Sequence, residues 1–427
     1  MLTVVYGLNS PAKAFINSKH NSGNNVFACT SGQEQFEGQQ SISLIDLAQI
    51  PDNQIERIVI CSNFFSEICK SFDEHNIPLE KVFFFDHTRS RLLSYDQVIS
   101  SEVRYENILY AVYDLSTHLP CFDVFNFAVL AEIERQRLSM QHIHFIILHN
   151  RESKDTISQS PMLFHEPHDF AWRIDKVVKA VLSCIPSHIA ISEFPFRDDA
   201  IEYLKNKENI FPSEIKTNGF SPAINTRSLK NVAENVDLSV LQAPINAKKI
   251  VNQFLQSIEP SLKPVVITLR EYDSQPKRNS DIAQWAQFLN NIDHNKYCPI
   301  IVRDTYLSSQ QPDERLKNFI HFPHASIDFT IRLALYEQAY INMGVSCGPN
   351  YGISFIKGAK SIIFQMTDED NPANSSLTAI RSGLEIGKDF FFNDSDLQMT
   401  IWEKDNAPWL LKTFNALVAK IEALKGD

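Results

Sequence analysis

The sequence predicts an α/β protein made of three parallel-sheet units, and three observations lead there. Short runs of Val, Ile and Phe recur along the chain, as in Ile58-Val-Ile60, Val82-Phe-Phe-Phe85 and Val265-Val-Ile267. Runs of that length suit strands buried on both faces of a parallel sheet. Segments of helical length and mixed polarity, such as Phe122 to Arg137, alternate with them, the pattern of strands joined by crossover helices. Glycine is scarce and concentrated: of 12 glycines in 427 residues, Gly344, Gly348, Gly352 and Gly358 crowd one short stretch.

The first unit, residues 1–100, starts with a strand at Leu2 to Tyr6, then Gly7-Leu-Asn-Ser-Pro-Ala12 and a helix. Further strands are expected at Val26 to Cys29, Ile58 to Cys61 and Val82 to Phe85, with a helix at Phe64 to His75. The turn at Gly7 lacks the later glycines of a dinucleotide fingerprint, so NAD is not expected. The second unit, residues 101–240, has strands at Ile108 to Tyr113, Ile143 to Leu148 and Ile189 to Ser192. Phe122 to Arg137 reads as a long amphipathic helix, and Asn150 to Arg173 as a loop carrying His165, His168 and Trp172. Ile174 to Cys184 reads as helix and Lys205 to Asn225 as a polar, turn-rich stretch. The third unit, residues 241–427, has strands at Val265 to Leu269, Ile300 to Val302, Ala339 to Met343 and Ile362 to Phe364. Its helices are expected at Lys248 to Ser257, Asp281 to Asn291, Ile327 to Gln338 (capped by Ser326), from Tyr351, and at Trp409 to Leu424.

Hydrophobic residues make up 44% of the chain and charged residues 21%, an ordinary globular balance. A net charge of −11 argues against a nucleic-acid partner, which needs clustered Lys and Arg. The seven cysteines are odd in number and lack CxxC spacing, so they read as reduced thiols of a cytoplasmic protein. No apolar run reaches membrane-spanning length, and Met1-Leu-Thr-Val-Val-Tyr-Gly7 reads as a strand rather than a leader.

Ligands of open parallel sheets bind beyond the carboxyl ends of the strands, so the residues after each strand of the third unit are the candidates. Arg270 follows Val265 to Leu269; a guanidinium there can grip a diphosphate and stabilise a departing nucleotide. The alternative is a structural pair with Glu271 or Asp304. Glu271 and Asp304 are candidates for a base or a ribose ligand, and His118, after a strand of the second unit, for a general base facing the third across a cleft. Arg278 and Asn279, at an expected helix start, are candidate phosphate or acceptor contacts, with a helix cap as the alternative for Asn279. Between Met343 and Tyr351 lies a small-residue turn in which Gly344, Ser346, Gly348, Pro349 and Asn350 are candidate substrate-binding residues. A strand emptying through such a turn into a helix gathers main-chain N–H groups suited to phosphate; a plain strand-to-helix turn is the alternative. Asp368-Glu-Asp370 and Asp394-Ser-Asp396 match short carboxylate motifs that arise by chance in an acidic chain, and His142-Ile-His144 lacks partner ligands. No metal and no other cofactor is expected.

In the first unit, the strand pattern and Ile58-Val-Ile-Cys-Ser-Asn63 resemble the small Rossmann-like domain that precedes some bacterial sugar O-acyltransferases and other surface-sugar enzymes. Over residues 105–420 the arrangement resembles the two-Rossmann-domain (GT-B) glycosyltransferases, with Tyr340-Ile-Asn-Met-Gly-Val-Ser-Cys-Gly-Pro-Asn350 similar to the strand, turn and helix that hold their donor diphosphate. Ile267-Thr-Leu-Arg270 resembles the strand and arginine of fucosyltransferase-like enzymes. The match departs from that motif at Thr268, which stands where the family has His, while Asp273 keeps its place three residues after Arg270. The resemblance implies three Rossmann-like units, the last two paired around a cleft. It implies a metal-independent transferase with a nucleotide-sugar donor and a glycan or lipid-linked acceptor, in bacterial-type polysaccharide synthesis and with peripheral membrane association. A nucleotide-sugar epimerase or hydrolase of the same fold, or a non-catalytic nucleotide-sugar-binding scaffold, are the competing readings.

Overall fold

The computed structural model describes residues 1–101, 107–149, 167–233, 236–273, 275–370 and 374–426. Two compact units form, residues 1–105 and 106–427. In the first, strands lie in the order Asn25–Ala28, Leu2–Tyr6, Ile55–Ile60, Val82–Asp86, Arg91–Ser94. All pairings are parallel except the last, which is antiparallel. Successive strand residues point to opposite faces, so Val4, Tyr6, Ile58 and Ile60 pack with Phe72 on one side. Val5, Phe15, Val59 and Phe85 pack on the other. Both faces are covered, which is why these strands read as unbroken apolar runs. Asn9 accepts a hydrogen bond from Ala12 N–H and so caps the helix Ser10–Ile16. The same side chain donates to the Cys61 carbonyl at 2.8 Å, pinning that helix to the central strands.

The second unit holds two parallel sheets. Four strands run in the order His188–Phe194, His142–Leu148, Ile108–Asp114, Ile210–Phe211. Six run in the order Ile320–His321, Tyr297–Val302, Lys263–Thr268, Ile341–Val345, Ser361–Phe364, Gln398–Ile401. The strand order of the second sheet reverses between Lys263–Thr268 and Ile341–Val345, and a crevice opens at such a reversal. These parallel sheets with covering helices are the α/β, Rossmann-like class expected.

One hydrophobic core serves both sheets. The helix Val124–Arg137 is buried on most of its circumference, including Asn126 and Glu132. It therefore departs from the one-sided amphipathic helix expected. Glu132 tolerates this position because Arg135, Gln136 and Ser187 all donate to its carboxylate, as a buried charge requires. Phe125 stands 5.3 Å from Phe329 and 6.2 Å from Phe355, ring centre to ring centre. Phe122 lies 5.4 Å from Phe329. These rings lock the two sheets of the unit together.

Other boundaries moved for local reasons. Asp328, rather than Ser326, caps the helix Phe329–Gln338, and Asp281, rather than Asn279, caps Ile282–Asn291. Of the expected loop from Asn150 to Arg173, the part from Pro167 is helix and continues as a π-helical segment, Ile174–Lys179. His165 and the side chain of His168 lie outside the described residues.

The glycines near Gly348 are set by this packing. A Cβ on Gly352 would sit 2.5 Å from Phe125 Cζ, and one on Gly348 would strike the Phe122 ring. Gly352→Ala is therefore expected to cost about 1–3 kcal/mol, the usual penalty of overpacking, read as a lower urea midpoint. An unchanged midpoint would show that Phe125 moves aside freely.

Candidate active site

Arg270 emerges just after the strand Lys263–Thr268, and the loop behind it closes around its guanidinium. Its N–H donates to Ser280 Oγ, its Nη1 to the Gln275 carbonyl at 3.0 Å and to Asn279 Oδ1. Asn279 also accepts from Tyr272 N–H and donates back to the Tyr272 carbonyl. Arg270 is only 7% exposed, and burial lowers its pKa from the usual arginine value. Starting from so basic a group, the cation persists at neutral pH.

Arg278 comes back towards the same point. It donates to Gln275 Oε1 at 2.7 Å and to the Ser346 carbonyl at 3.1 Å. Its Nε is buried with no hydrogen-bond partner among the described residues. Burial first, and then the charge of Arg270, lower its pKa. Two guanidinia that repel one another, one with a donor unmatched among the described residues, make an arrangement that an anion would suit.

The neighbouring strand supplies the next residues. Arg303 and Glu271 make a two-pronged ion pair at 2.7 and 2.8 Å, which consumes the Glu271 carboxylate. Asp304 accepts from Glu271 N–H. Burial pushes its carboxyl above the ordinary range, against the pull of that hydrogen bond, Arg332 and Arg270. Arg332 is fixed by the carbonyls of Ala325 and Arg303.

Arg270, Arg278, Asp304, Arg332, Gly348 and Pro349 line one cavity of about 910 Å³. Tyr272, Tyr306, Ser326 and Cys347 belong to the same wall. Ser326 Oγ is buried and has no hydrogen-bond partner among the described residues. The facing wall comes from the four-stranded half: Cys121, Phe122 and Asp123 before the helix Val124–Arg137, and Asp169, Trp172, Arg173, Lys176 and Val177 from the helix around the π-helical turn. Such turns redirect side chains and recur at functional sites. Asp169 pairs with Arg173 at 2.9 Å, and Arg173 reaches across to Tyr272 Oη at 3.3 Å. Asp123 is exposed and makes no ion pair among the described residues.

The predicted residues thus separate. Arg270, Arg278, Asp304, Gly348 and Pro349 meet in the cavity. Asn279 sits behind Arg270 and holds it. Ser346 offers its carbonyl to Arg278, and its N–H bonds to the Phe364 carbonyl. Asn350 is buried, bonded to Tyr336 Oη and the Val345 carbonyl. Gly344 lies inside the strand, where a Cβ would strike the Asn350 side chain. The expected helix from Tyr351 is instead one short turn, Gly348–Tyr351, followed by a 3-10 turn, Gly352–Phe355.

His118 corrects the expectation that it faces the cleft. Its Nδ1 bonds to the Asp114 carbonyl, its Nε2 accepts from Ile224 N–H at 3.0 Å, and its ring stacks on Tyr113 at 4.9 Å. Burial lowers its pKa; the neutral ring is a structural linker, outside the cavity lining. The acidic triplets are likewise occupied: Lys277 pairs with Asp368 and Asp370, and Asp394 accepts from Asp396 N–H. Among the described residues no His, Cys, Asp and Glu group is placed to hold a metal ion, and no helix is long and apolar enough to cross a membrane.

The sequence reading missed Asp123, Arg332 and the Asp169–Val177 wall. Arg332 sits inside an apolar helix with no turn to mark it. Asp123 carried a signal, an acid at the start of a helix that follows a strand.

The cavity and its sheets define an α/β protein with two Rossmann-like halves facing one another. No protein-family model and no curated protein matches the chain. Among solved structures it is similar to a glycosyl transferase family 9 protein from Veillonella parvula, at 8% identity over 74% of this chain and 97% of that one, TM-score 0.47. It is similar to the ADP-heptose lps heptosyltransferase II of E. coli at 8% identity over 74% and 100%, TM-score 0.45. A UDP-GlcNAc 2-epimerase from Neisseria meningitidis, bound to UDP-GlcNAc, aligns at 10% identity over 99% and 92%, TM-score 0.29.

Asp304 generates a pH prediction. Its folded pKa lies above the unfolded value, about 3.9 for an aspartate. The stability it contributes is full below that pH and is lost as pH rises through the folded pKa. Asp304→Asn, which keeps an acceptor for Glu271 N–H, is expected to flatten that loss when urea midpoints are compared from about pH 3 to 7. Parallel curves for variant and wild type would mean the carboxyl is not perturbed.

Proposed function

We propose that the second unit is a metal-independent glycosyltransferase that moves a sugar from a nucleoside-diphosphate donor to a glycan or lipid-linked acceptor, in the cytoplasm during surface-polysaccharide synthesis. The observation that carries this reading is the Arg270–Arg278 pair on the wall of a cavity shared by two Rossmann-like halves. A volume of about 910 Å³ falls within the range of small-molecule sites, and it is bordered by more cations than carboxylates.

In this mechanism the donor diphosphate lies against Arg270 and Arg278. As the bond from anomeric carbon to phosphate oxygen breaks, negative charge grows on the leaving oxygen, and two prepositioned guanidinia stabilise it without reorganising. Asp304 sits on the donor wall beside Arg270 and Arg332 and suits a donor hydroxyl. The attacking acceptor approaches from the other wall, where Asp123 takes its proton as the new glycosidic bond forms. Asp123 is preferred over Asp169 because Asp169 is already paired with Arg173. Phe122, Trp172 and Val177 help exclude water that would hydrolyse the donor.

Arg270→Ala is expected to lower kcat about 10²–10³-fold, the scale for losing a charge-stabilising donor, with a melting temperature near that of the wild type. The assay uses labelled nucleotide-sugars with glycan acceptors. Sugar released to water without acceptor would indicate a hydrolase, and an inverted sugar still on the nucleotide an epimerase. Full activity in the Arg270→Ala variant would remove the mechanism. Asp123→Asn is expected to lose turnover while retaining affinity for nucleoside diphosphate; retained turnover would exclude it as the base.

A further inference from the structure

Gln275 touches both guanidinia of the cavity wall. Its carbonyl accepts from Arg270 Nη1 at 3.0 Å, and its side-chain Oε1 accepts from Arg278 Nη1 at 2.7 Å. The same carbonyl accepts from Arg278 N–H at 3.0 Å, which closes the short turn Pro276–Arg278. Gln275 lines the cavity and is half-buried.

The backbone adopts an unfavoured conformation to reach both partners. Gln275 has φ +56° and ψ +62°, the left-handed region that residues with a Cβ seldom occupy. It also stands directly before Pro276, and a proline narrows the choices of the residue ahead of it. Such a conformation persists where the surroundings over-determine it, and residues of this kind collect at ligand sites. Rotating Gln275 out of it would take the carbonyl from Arg270 and the side-chain oxygen from Arg278 together.

The kind of acceptor matters as much as its position. Three other arginines of the unit are held by carboxylates: Arg197 by Asp114, Arg303 by Glu271 and Arg173 by Asp169. Each of those pairs cancels its own charge. Arg278 instead meets uncharged acceptors among the described residues, Gln275 Oε1 and the Ser346 carbonyl. Arg270 is held by the Gln275 carbonyl and Asn279 Oδ1. Asp304, the carboxylate whose charge reaches Arg270, is engaged by Glu271 N–H. A neutral oxygen orients a guanidinium without neutralising it, and so leaves its field for an anionic ligand.

We propose that Gln275 is a positioning residue: it fixes Arg270 and Arg278 at the cavity wall through uncharged oxygens, so that the charge of the pair stays available to a phosphate-bearing ligand. The inference rests on the transferase reading only in naming that ligand a nucleoside diphosphate.

Two variants of the full chain test it. Gln275→Glu keeps the shape and the acceptor for Arg278 but puts a carboxylate beside both cations. Its melting temperature is expected to equal or exceed that of the wild type. Its Kd for inorganic pyrophosphate and for nucleoside diphosphates, measured by calorimetry, is expected to rise about tenfold or more. A residue that served stability alone would leave that affinity unmoved. Gln275→Ala removes the side-chain acceptor, so phenylglyoxal is expected to label Arg278 several-fold faster in the absence of ligand, as mapped by mass spectrometry. Unchanged pyrophosphate affinity in Gln275→Glu, or equal labelling of Arg278 in wild type and Gln275→Ala, would overturn the proposal and leave the transferase reading standing. Wild-type protein that binds pyrophosphate but no nucleoside diphosphate would contradict the transferase reading alone, and wild-type protein that binds neither would overturn both.

Discussion

The site depends on the fixing of one guanidinium before any ligand arrives. Arg270 is held by the Gln275 carbonyl and by Asn279, and Asn279 is itself held by both backbone groups of Tyr272. A mobile arginine spends part of any binding energy on being ordered; a locked one does not. Arg278, tied to the Ser346 carbonyl, links the same loop to the turn after the neighbouring strand. Two cations are thereby held near one another at the strand-order reversal of the sheet, where a parallel fold leaves a crevice.

The same turn answers to a second demand. Gly348 and Gly352 are small because Phe122 and Phe125 press against them from the other half of the unit. The stretch that borders the cavity is thus also the seam that joins the two sheets. A side chain added at Gly348 would strain the seam and the cavity wall together, whereas one at Gly352 would strain the seam.

Much of this was legible in the sequence, and the limits have physical causes. Parallel strands buried on both faces announce themselves as apolar runs, so the sheets of the last unit and the residues following them were readable. That was enough to bring Arg270, Asp304 and Gly348 to one rim, with Arg278 expected at a nearby helix start. The cluster of glycines was visible, but its cause was not: close approach of aromatic rings more than 200 residues away leaves no local mark. His118 was misread because a histidine after a strand looks the same whether its nitrogens face a cleft or, as here, the Asp114 carbonyl and Ile224 N–H. Glu271 and Arg303 form a cross-strand pair that sequence offers only as two charged residues. The facing wall depends on a π-helical turn, Ile174–Lys179, which no residue pattern signals.

The most direct measurement is a crystal structure grown in the presence of a nucleoside diphosphate, with UDP, GDP, ADP and CDP each tried. The account predicts diphosphate oxygens at about 2.7–2.9 Å from guanidinium nitrogens of both Arg270 and Arg278, with the nucleoside inside the cavity between the two sheets. A diphosphate bound elsewhere, or a cavity that takes up none of the four, would contradict it.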